Sequence, residues 1–289
     1  MTDFTIRALT AADVPAAVRL ARALGWRDRT RLYEFALRVP TCHFLAGVAE
    51  GRVVATGLGT VSMPVGWMGA IIVDEAYRRH GYGRTMTETV CERLLAAGCT
   101  TLSLEATDAG RPLYERMGFR HATHYHQLQA GHLPEAPALP AGARVRKLES
   151  ADLPSIFELD LRATGEDRSA PLRLLAENGG WILEDTADRC AIPGATPALR
   201  GFLLPAERAY GAIVAPRFED GLFLLDWHRH IVPEGEWVRA GVPHEHVRAW
   251  QKLPTRGWQE TWRAPRLILG PDVEWRPEWI WGQINSAMG

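Results

Sequence analysis

Three arginines, a histidine and two glycines within eight residues hold the most specific chemistry in this chain. The stretch YRRHGYGR sets Arg78, Arg79 and His80 ahead of Gly81, Tyr82 and Gly83, with Arg84 behind them. Guanidinium groups suit bidentate contact with phosphate oxygens. Glycines at 81 and 83 let the backbone approach a ligand closely or turn with positive φ. The spacing lacks the third glycine of a dinucleotide fingerprint, and no Gly-Lys-Ser/Thr follows as in a Walker loop. A bare Gly-x-Gly with basic neighbours also describes a solvated turn, so the flanking elements decide.

Those elements point to an anion cradle. GWMGAIIV (66–73) is apolar enough to be a central strand. RTMTETVCERLLAAG reads as a helix with Met86, Val90, Leu94 and Ala97 on one face, stopped by Gly98. A loop between a buried strand and a helix N-terminus offers unpaired N–H groups at the positive end of the helix dipole. Upstream, His43 to Val61 reads as two antiparallel strands joined around Glu50 and Gly51. Downstream, TLSLEAT (101–107) reads as a strand, and AGRPLYERMGF as a short helix returning to a strand at Phe119.

The pattern occurs twice. Setting Val145 on Ile6, an offset of 139, pairs Arg7 with Arg146, Leu9 with Leu148, Ala12 with Ala151, Asp13 with Asp152 and Pro15 with Pro154. The same offset lays Gly118-Phe119 on Gly257-Trp258. Each copy starts as a strand, a polar turn and a helix; in the first, Thr10 is placed to cap the helix that buries Val14, Val18 and Ala21. The Pro- and Ala-rich stretch 130–143 reads as a linker. The expectation is two divergent copies of one α/β (α+β) unit, 1–129 and 144–289, each a mixed, largely antiparallel sheet flanked by helices.

Composition narrows the function. The 289 residues carry a formal net charge of -1, so no global attraction to nucleic acid or membranes is implied and any anion site must be local. No apolar run is long enough to span a bilayer, and MTDFTIRALT has no signal-peptide pattern, which suggests a cytoplasmic protein. Cys42, Cys91, Cys99 and Cys190 are scattered, as free thiols in a reducing compartment would be. The histidines of HATHYH (His121, His124, His126), WHRH (His228, His230) and HEH (His244, His246) offer no third ligand in sequence and read as ordinary strand and surface residues, so no metal is expected. Nine tryptophans fall in the second half, either as an aromatic pocket for an amine or, the preferred reading, as core and interface packing.

VDEAYRRHGYGRTM followed by LYERMGF resembles the acyl-CoA-binding core of the GNAT N-acetyltransferase superfamily over roughly residues 4 to 128. The family loop, Gln/Arg-x-x-Gly-x-Gly/Ala, is met by Arg78, Gly81 and Gly83. The resemblance implies that the amides of Arg78 through Arg84 hold the pyrophosphate of acetyl-CoA. It also implies that backbone groups of Ile71, Ile72 and Val73 bond the pantetheine and the thioester carbonyl. Tyr114 matches the family tyrosine that protonates the departing sulfur; the alternative is that it packs and orients CoA. Thr107 stands where many members carry a pantetheine-binding asparagine. Glu105 is the carboxylate best placed to deprotonate an amine, although strand alternation could equally aim it at solvent. Trp26, in LGW, is a candidate wall of the acceptor pocket or a core residue.

The linker and VRKLESADLP resemble a bacterial subgroup of tandem GNAT proteins whose second half is a degenerate domain of the YitH type, with GEDRSAPLRLL (165–175) similar to that domain. In that half IVAPRFEDG (213–221) has lost the Gly-x-Gly and carries Glu219 and Asp220, and Leu253 stands in register with Tyr114. The second half is therefore expected to bind no CoA and to supply acceptor specificity. The function implied is acetyl transfer to an amine, preferably of a small molecule, by a monomer or homodimer. A peptide acceptor and a non-catalytic acyl-CoA sensor are the alternatives.

Overall fold

The computed structural model describes residues 3–186, 198–206 and 209–289; Cys190 lies outside them. The chain forms two compact units. The first comprises Met1–His121 with Leu267–Val273 and Ser286–Gly289, and the second Ala122–Arg266 with Glu274–Asn285. Among the described residues no helix is long and apolar enough to cross a membrane.

The first unit runs β1 (Thr5–Ala8), a single turn at Ala11–Asp13, α1 (Val14–Ala23), α2 (Thr30–Arg38), β2 (Cys42–Ala49), β3 (Arg52–Ser62), β4 (Val65–Val73), α3 (Tyr82–Ala96), β5 (Thr101–Glu105) and α4 (Arg111–Arg116). The strands line up as β1-β2-β3-β4-β5, antiparallel as far as β4, with β5 parallel to β4. Met86, Val90 and Leu94 recur every fourth residue on α3 and are fully buried. They can lie this close to the sheet because β3 and β4 present glycine beneath them: a Cβ at Gly57 would fall 2.8 Å from Met86 Cγ, and one at Gly66 3.0 Å from Leu94 Cβ. Each such buried side chain contributes roughly 1.5–3 kcal/mol. Ala97 is not part of that face; it caps the helix and is exposed. Likewise β5 stops at Glu105, leaving Ala106 and Thr107 in the following turn. From the far end of the sequence Leu267 joins this core, and Pro271 O accepts from the Thr101 hydroxyl at 2.7 Å.

The second unit takes up β6 (Arg120–Gly131) from Ala122 onward. It continues with β7 (Ala143–Lys147), a turn at Ser150–Asp152, α5 (Leu153–Thr164), α6 (Ser169–Ala176), β8 (Trp181–Asp185), β9 (Leu199–Pro205), β10 (Gly211–Val214) and α7 (Phe218–Ile231). After these come β11 (Trp237–Pro243), α8 (Val247–Lys252), β12 (Gln259–Leu269) and β13 (Ile280–Gly282). One sheet has the order β13-β10-β9-β8-β7; β11 pairs antiparallel with β6, Val242 opposite His126. Residues 132–142 carry no helix or strand, whereas Ala130 and Gly131 belong to β6.

Element for element, the order from β1 to β6 recurs from β7 to β12. The identities found at one offset now have a cause. Arg7 grips the Asp13 carboxylate through both terminal nitrogens (2.7 and 2.9 Å), and Arg146 does the same to Asp152 (2.7 and 2.7 Å). Each aspartate also accepts the backbone N–H of the residue that opens the turn, Thr10 or Glu149. The arginine holds each carboxyl well below the usual range. At the far end, Gly118 (φ 91°) and Gly257 (φ 83°) both turn left-handed, and Phe119 N and Trp258 N donate back to Tyr114 O and Leu253 O.

Two histidines make the second unit acid-sensitive. His228 and His246 are buried (2% and 3% exposed), and burial pushes both down to about 4. The folded state therefore binds fewer protons than the unfolded chain between pH 6.5 and about 4, and stability is lost as pH falls through that window. With two protons involved, the unfolding free energy should drop by up to about 2.7 kcal/mol per pH unit at its steepest. Urea unfolding monitored at pH 7.5, 6 and 5 checks this; a flat profile would contradict it.

Candidate functional site

The loop between β4 and α3 is shaped by left-handed backbone. Arg79 (φ 65°) and Gly81 (φ 84°) both take it, and Gly81 caps α3 without any side-chain hydrogen bond. The first intrahelical bond runs from Thr85 N to Gly81 O, so the N–H groups of Tyr82, Gly83 and Arg84 have no partner within the helix. Alternating handedness followed by a free helix start turns successive N–H groups toward one concavity. Gly83 is helical, and a Cβ there would only touch Val73 Cγ2 at 3.6 Å, so the glycine answers to no crowding within the chain. It leaves a bare patch beside the free amides.

Cations rim this patch. Arg78 is exposed and reaches back to Val73 O through Nε (3.3 Å), and His80 Nδ1 bonds Arg78 O at 2.8 Å. Arg79 is exposed. Arg84 shares its charge with Glu88 at 2.8 Å on the helix surface. Tyr82 lies flat on Phe4, centroids 4.0 Å apart, which braces the first turn of α3. Donors, cations and bare backbone together fit a pyrophosphate.

Upstream, β4 lets go of its neighbour. Its parallel pairing with β5 runs from Val65–Thr101 to Met68–Leu104 and stops there. The register with β3 slips at the same level, because Ala70 (φ 48°) adds a residue to β4. This bulge is clamped by the buried Thr56 hydroxyl, which donates to Ala70 O at 2.7 Å. From Gly69 to Val73, β4 therefore has no strand on its β5 side among the described residues; Val73 O is met there by Arg78 Nε, and the edge at Ile71 and Ile72 carries no strand partner on that side. Ile71 and Val73 are half-buried on this stretch while the Ile72 side chain is core. Nothing in the sequence announced the bulge; a threonine buried in an apolar strand was its one trace.

The remaining candidates gather at the open end of β5. Tyr114 on α4 is 8% exposed and sits edge-on to Phe119 (5.9 Å). Burial, with the neighbouring Cys91 thiol, pushes its phenol up to about 12. Gly110 admits the ring, since a Cβ there would lie 3.0 Å from Tyr114 Cε2. Thr107 is exposed and caps this turn, accepting Gly110 N on its hydroxyl at 3.3 Å and on its carbonyl at 3.0 Å. Glu105 closes β5, half-buried. Trp26 follows α1, half-buried, with the Arg29 guanidinium 4.9 Å above its ring.

The second unit has the frame without the opening. Three residues separate β10 from α7, against eight between β4 and α3. The edge of β10 is taken by β13, Ile213 opposite Gly282 and Val214 opposite Ile280. The Trp281 indole donates to Ala215 O at 3.2 Å and fills the space over Gly221, where a Cβ would lie 1.9 Å from its ring. Asp220, one of the two carboxylates at this helix start, is fully buried and bound to Arg200. Leu253 occupies the place of Tyr114 and is buried. Of the tryptophans, Trp258 and Trp281 are core, whereas Trp237 and Trp262 are 47% and 41% exposed.

Three of the histidines meet after all. His126, buried on β6, bonds Glu260 through Nδ1 (3.1 Å) and His244 through Nε2 (3.0 Å), beneath the Trp250 ring. His124 packs against His244. Among the described residues no group of three His, Cys, Asp or Glu is arranged to hold a metal ion.

Comparison with known proteins gives the family and the fold. Residues 7–119 match the Acetyltransferase (GNAT) family. The [Ribosomal protein bS18]-alanine N-acetyltransferase of Salmonella typhimurium is 31% identical over 137 residues, 44% of this chain and 90% of that protein. The chain belongs to the GNAT family. It is an acyltransferase by that membership. YitH of Bacillus subtilis, an uncharacterized N-acetyltransferase, is 25% identical over 227 residues, 77% of this chain and 76% of its own. A Pyrococcus horikoshii protein assigned as an acetyltransferase shares the whole fold, with TM-score 0.81 at 20% identity over 99% of this chain and 96% of that one. A tandem GNAT protein of the clavulanic acid pathway follows at 0.65 and 20%, covering 93% of this chain and 100% of that one. The two GNAT-like units are thus the fold of a tandem family member.

The two loop glycines should respond differently to substitution. Gly81→Ala places a Cβ in left-handed backbone with nothing within 4 Å of it, so the loss is purely conformational, about 1–2 kcal/mol. Gly83→Ala meets only ordinary contact and should leave stability within about 0.5 kcal/mol. Thermal unfolding of the two variants separates them; equal losses would mean that packing, not backbone, demands glycine at both positions.

Proposed function

We propose that the chain transfers an acetyl group from acetyl-CoA to the amine of a small molecule, with the chemistry confined to the first unit. The observation that carries this is the continuity of β4's unpaired edge with the Arg78–Arg84 loop. An extended acyl-pantetheine can bond Ile71 to Val73 while the pyrophosphate meets the free N–H groups of Tyr82, Gly83 and Arg84. Arg78 and Arg79 add charge without a carboxylate competing for them among the described residues. Thr107, its hydroxyl accepting Gly110 N in the turn before α4, offers the pantetheine less than an asparagine would.

Acetyl-CoA supplies the acyl group as a thioester; the chain holds it, orients it and manages two protons. Tyr114 stays protonated throughout the neutral range. A phenol near 12 is a weaker acid than a thiol near 8.5, so outright proton release to the sulfur would be uphill by roughly 5 kcal/mol. Tyr114 therefore acts by donating a hydrogen bond to the departing sulfur. The proton lost from the amine as the amide forms then balances the thiol. Glu105, half-buried at the strand end, is the group that takes the ammonium proton beforehand. Trp26 lines the acceptor side. The second unit, its strand edge occupied by β13, binds no CoA and contributes acceptor specificity.

A polypeptide acceptor is the second reading, favoured by the 31% identity, over 44% of this chain, to an enzyme named for a ribosomal-protein alanine. Thiol release from acetyl-CoA with a panel of small amines, and with a peptide bearing N-terminal alanine, decides between them. Binding of acetyl-CoA with no turnover on any acceptor would instead make the chain a sensor. Equilibrium dialysis should give one acetyl-CoA per chain, and Gly83→Asp should abolish it. Tyr114→Phe should lower kcat about 10- to 100-fold while KM for acetyl-CoA stays within about twofold. An unchanged kcat would remove Tyr114 from the mechanism.

A further inference from the structure

The two faces of β4 differ at the level of the bulge. Gly66 and Met68 look toward α3, where Leu94 and Cys91 meet them. Strand alternation sends Trp67 and Gly69 to the opposite face. There the first unit is completed by Ser286–Gly289. A Cβ on Gly69 would lie 2.3 Å from Ala287 Cβ, and one on Gly289 2.7 Å from Trp67 Cε2. Thr60, opposite Trp67 in register, donates its hydroxyl to Ala287 O at 3.5 Å. Ala287 and Met288 are buried. Gly69 is the residue immediately before Ala70, where β4 parts from β5.

An acyl group laid along β4, with its pyrophosphate at α3, has its reactive end at this bulge. Met86, Val90 and Leu94 close the α3 face. The face left for an amine is the one that carries Trp67 and Gly69, on which Glu105 also lies by strand alternation from Leu104. We infer that Ser286–Gly289 is the acceptor-side wall of the transfer site, and that its packing on Gly69 sets the width open to the amine. The segment is a specificity determinant supplied by residues more than two hundred positions away from the loop. This inference rests on the acetyl-CoA reading given above.

The test is steady-state kinetics on full-length Gly69→Ala, Ala287→Gly and the double variant, using an amine turned over by the wild type. Gly69→Ala drives a methyl into Ala287 and should raise the amine KM roughly fivefold or more, with KM for acetyl-CoA within about twofold. Ala287→Gly removes the opposing methyl and should restore much of the amine KM in the double variant. Should Gly69→Ala fail to fold, a chain ending at Asn285 replaces it, and turnover of bulkier amines is then expected. An amine KM left unchanged, or both KM values rising together without rescue, overturns the wall. A wild type that binds acetyl-CoA and acetylates nothing overturns the transfer reading first, and the wall with it.

Discussion

A single backbone displacement organises the first unit. The hydrogen bond from Thr56 to Ala70 O holds an extra residue in β4, which shifts its register against β3 at the level where its pairing with β5 ends. A positive φ at a non-glycine residue is strained, of order 1–3 kcal/mol, and persists where the surroundings over-determine it. Here the surroundings are a fully buried threonine on one side and the α3 helix, seated on Gly57 and Gly66, on the other. Beyond the bulge lie five residues of strand with no strand on the β5 side among the described residues, running toward a helix N-terminus whose first amides have no partner within the helix.

The second unit shows what the same frame does when that edge is closed. The arginine–aspartate bracket at the first turn and the left-handed glycine before the last strand are retained, since both serve folding. The features that differ lie at the end of the strand and the start of the helix that follows it. The loop is five residues shorter, β13 pairs with the end of β10, and Trp281 fills the space above Gly221. Buried apolar surface replaces free polar backbone, which stabilises the unit and removes the opening. The buried carboxylates of this unit behave likewise: Asp160, Asp220 and Asp226 each pair with arginine and are structural.

Sequence reading recovered the elements around the site because their signals are local. Period-four burial along α3, apolar runs in β3 and β4, and a glycine-rich loop with basic flanks are each properties of ten to fifteen residues. The repeat was legible for the same reason: the Arg-x5-Asp bracket is short, and both copies need it to start a helix. The reading failed where contacts are long-range. Ala97 matched the helical period but lies past the point where the helix ends. The dispersed histidines looked unrelated, yet β6, the turn after β11 and β12 bring His126, His244 and Glu260 into one hydrogen-bonded line.

The amino-acid sequence determined, by itself, that two glycines with basic flanks meet a helix start at Arg78–Arg84 and that the second copy has no such Gly-x-Gly. Glycine conformation, helix dipole and charge are properties of residues adjacent in the chain. The tertiary structure alone decided that β4 loses its β5 neighbour before that loop, that Tyr114 is buried, and that Ser286–Gly289 lies on the opposite face of the strand. Register, burial and the docking of distant segments depend on which surfaces meet, and no local pattern encodes that.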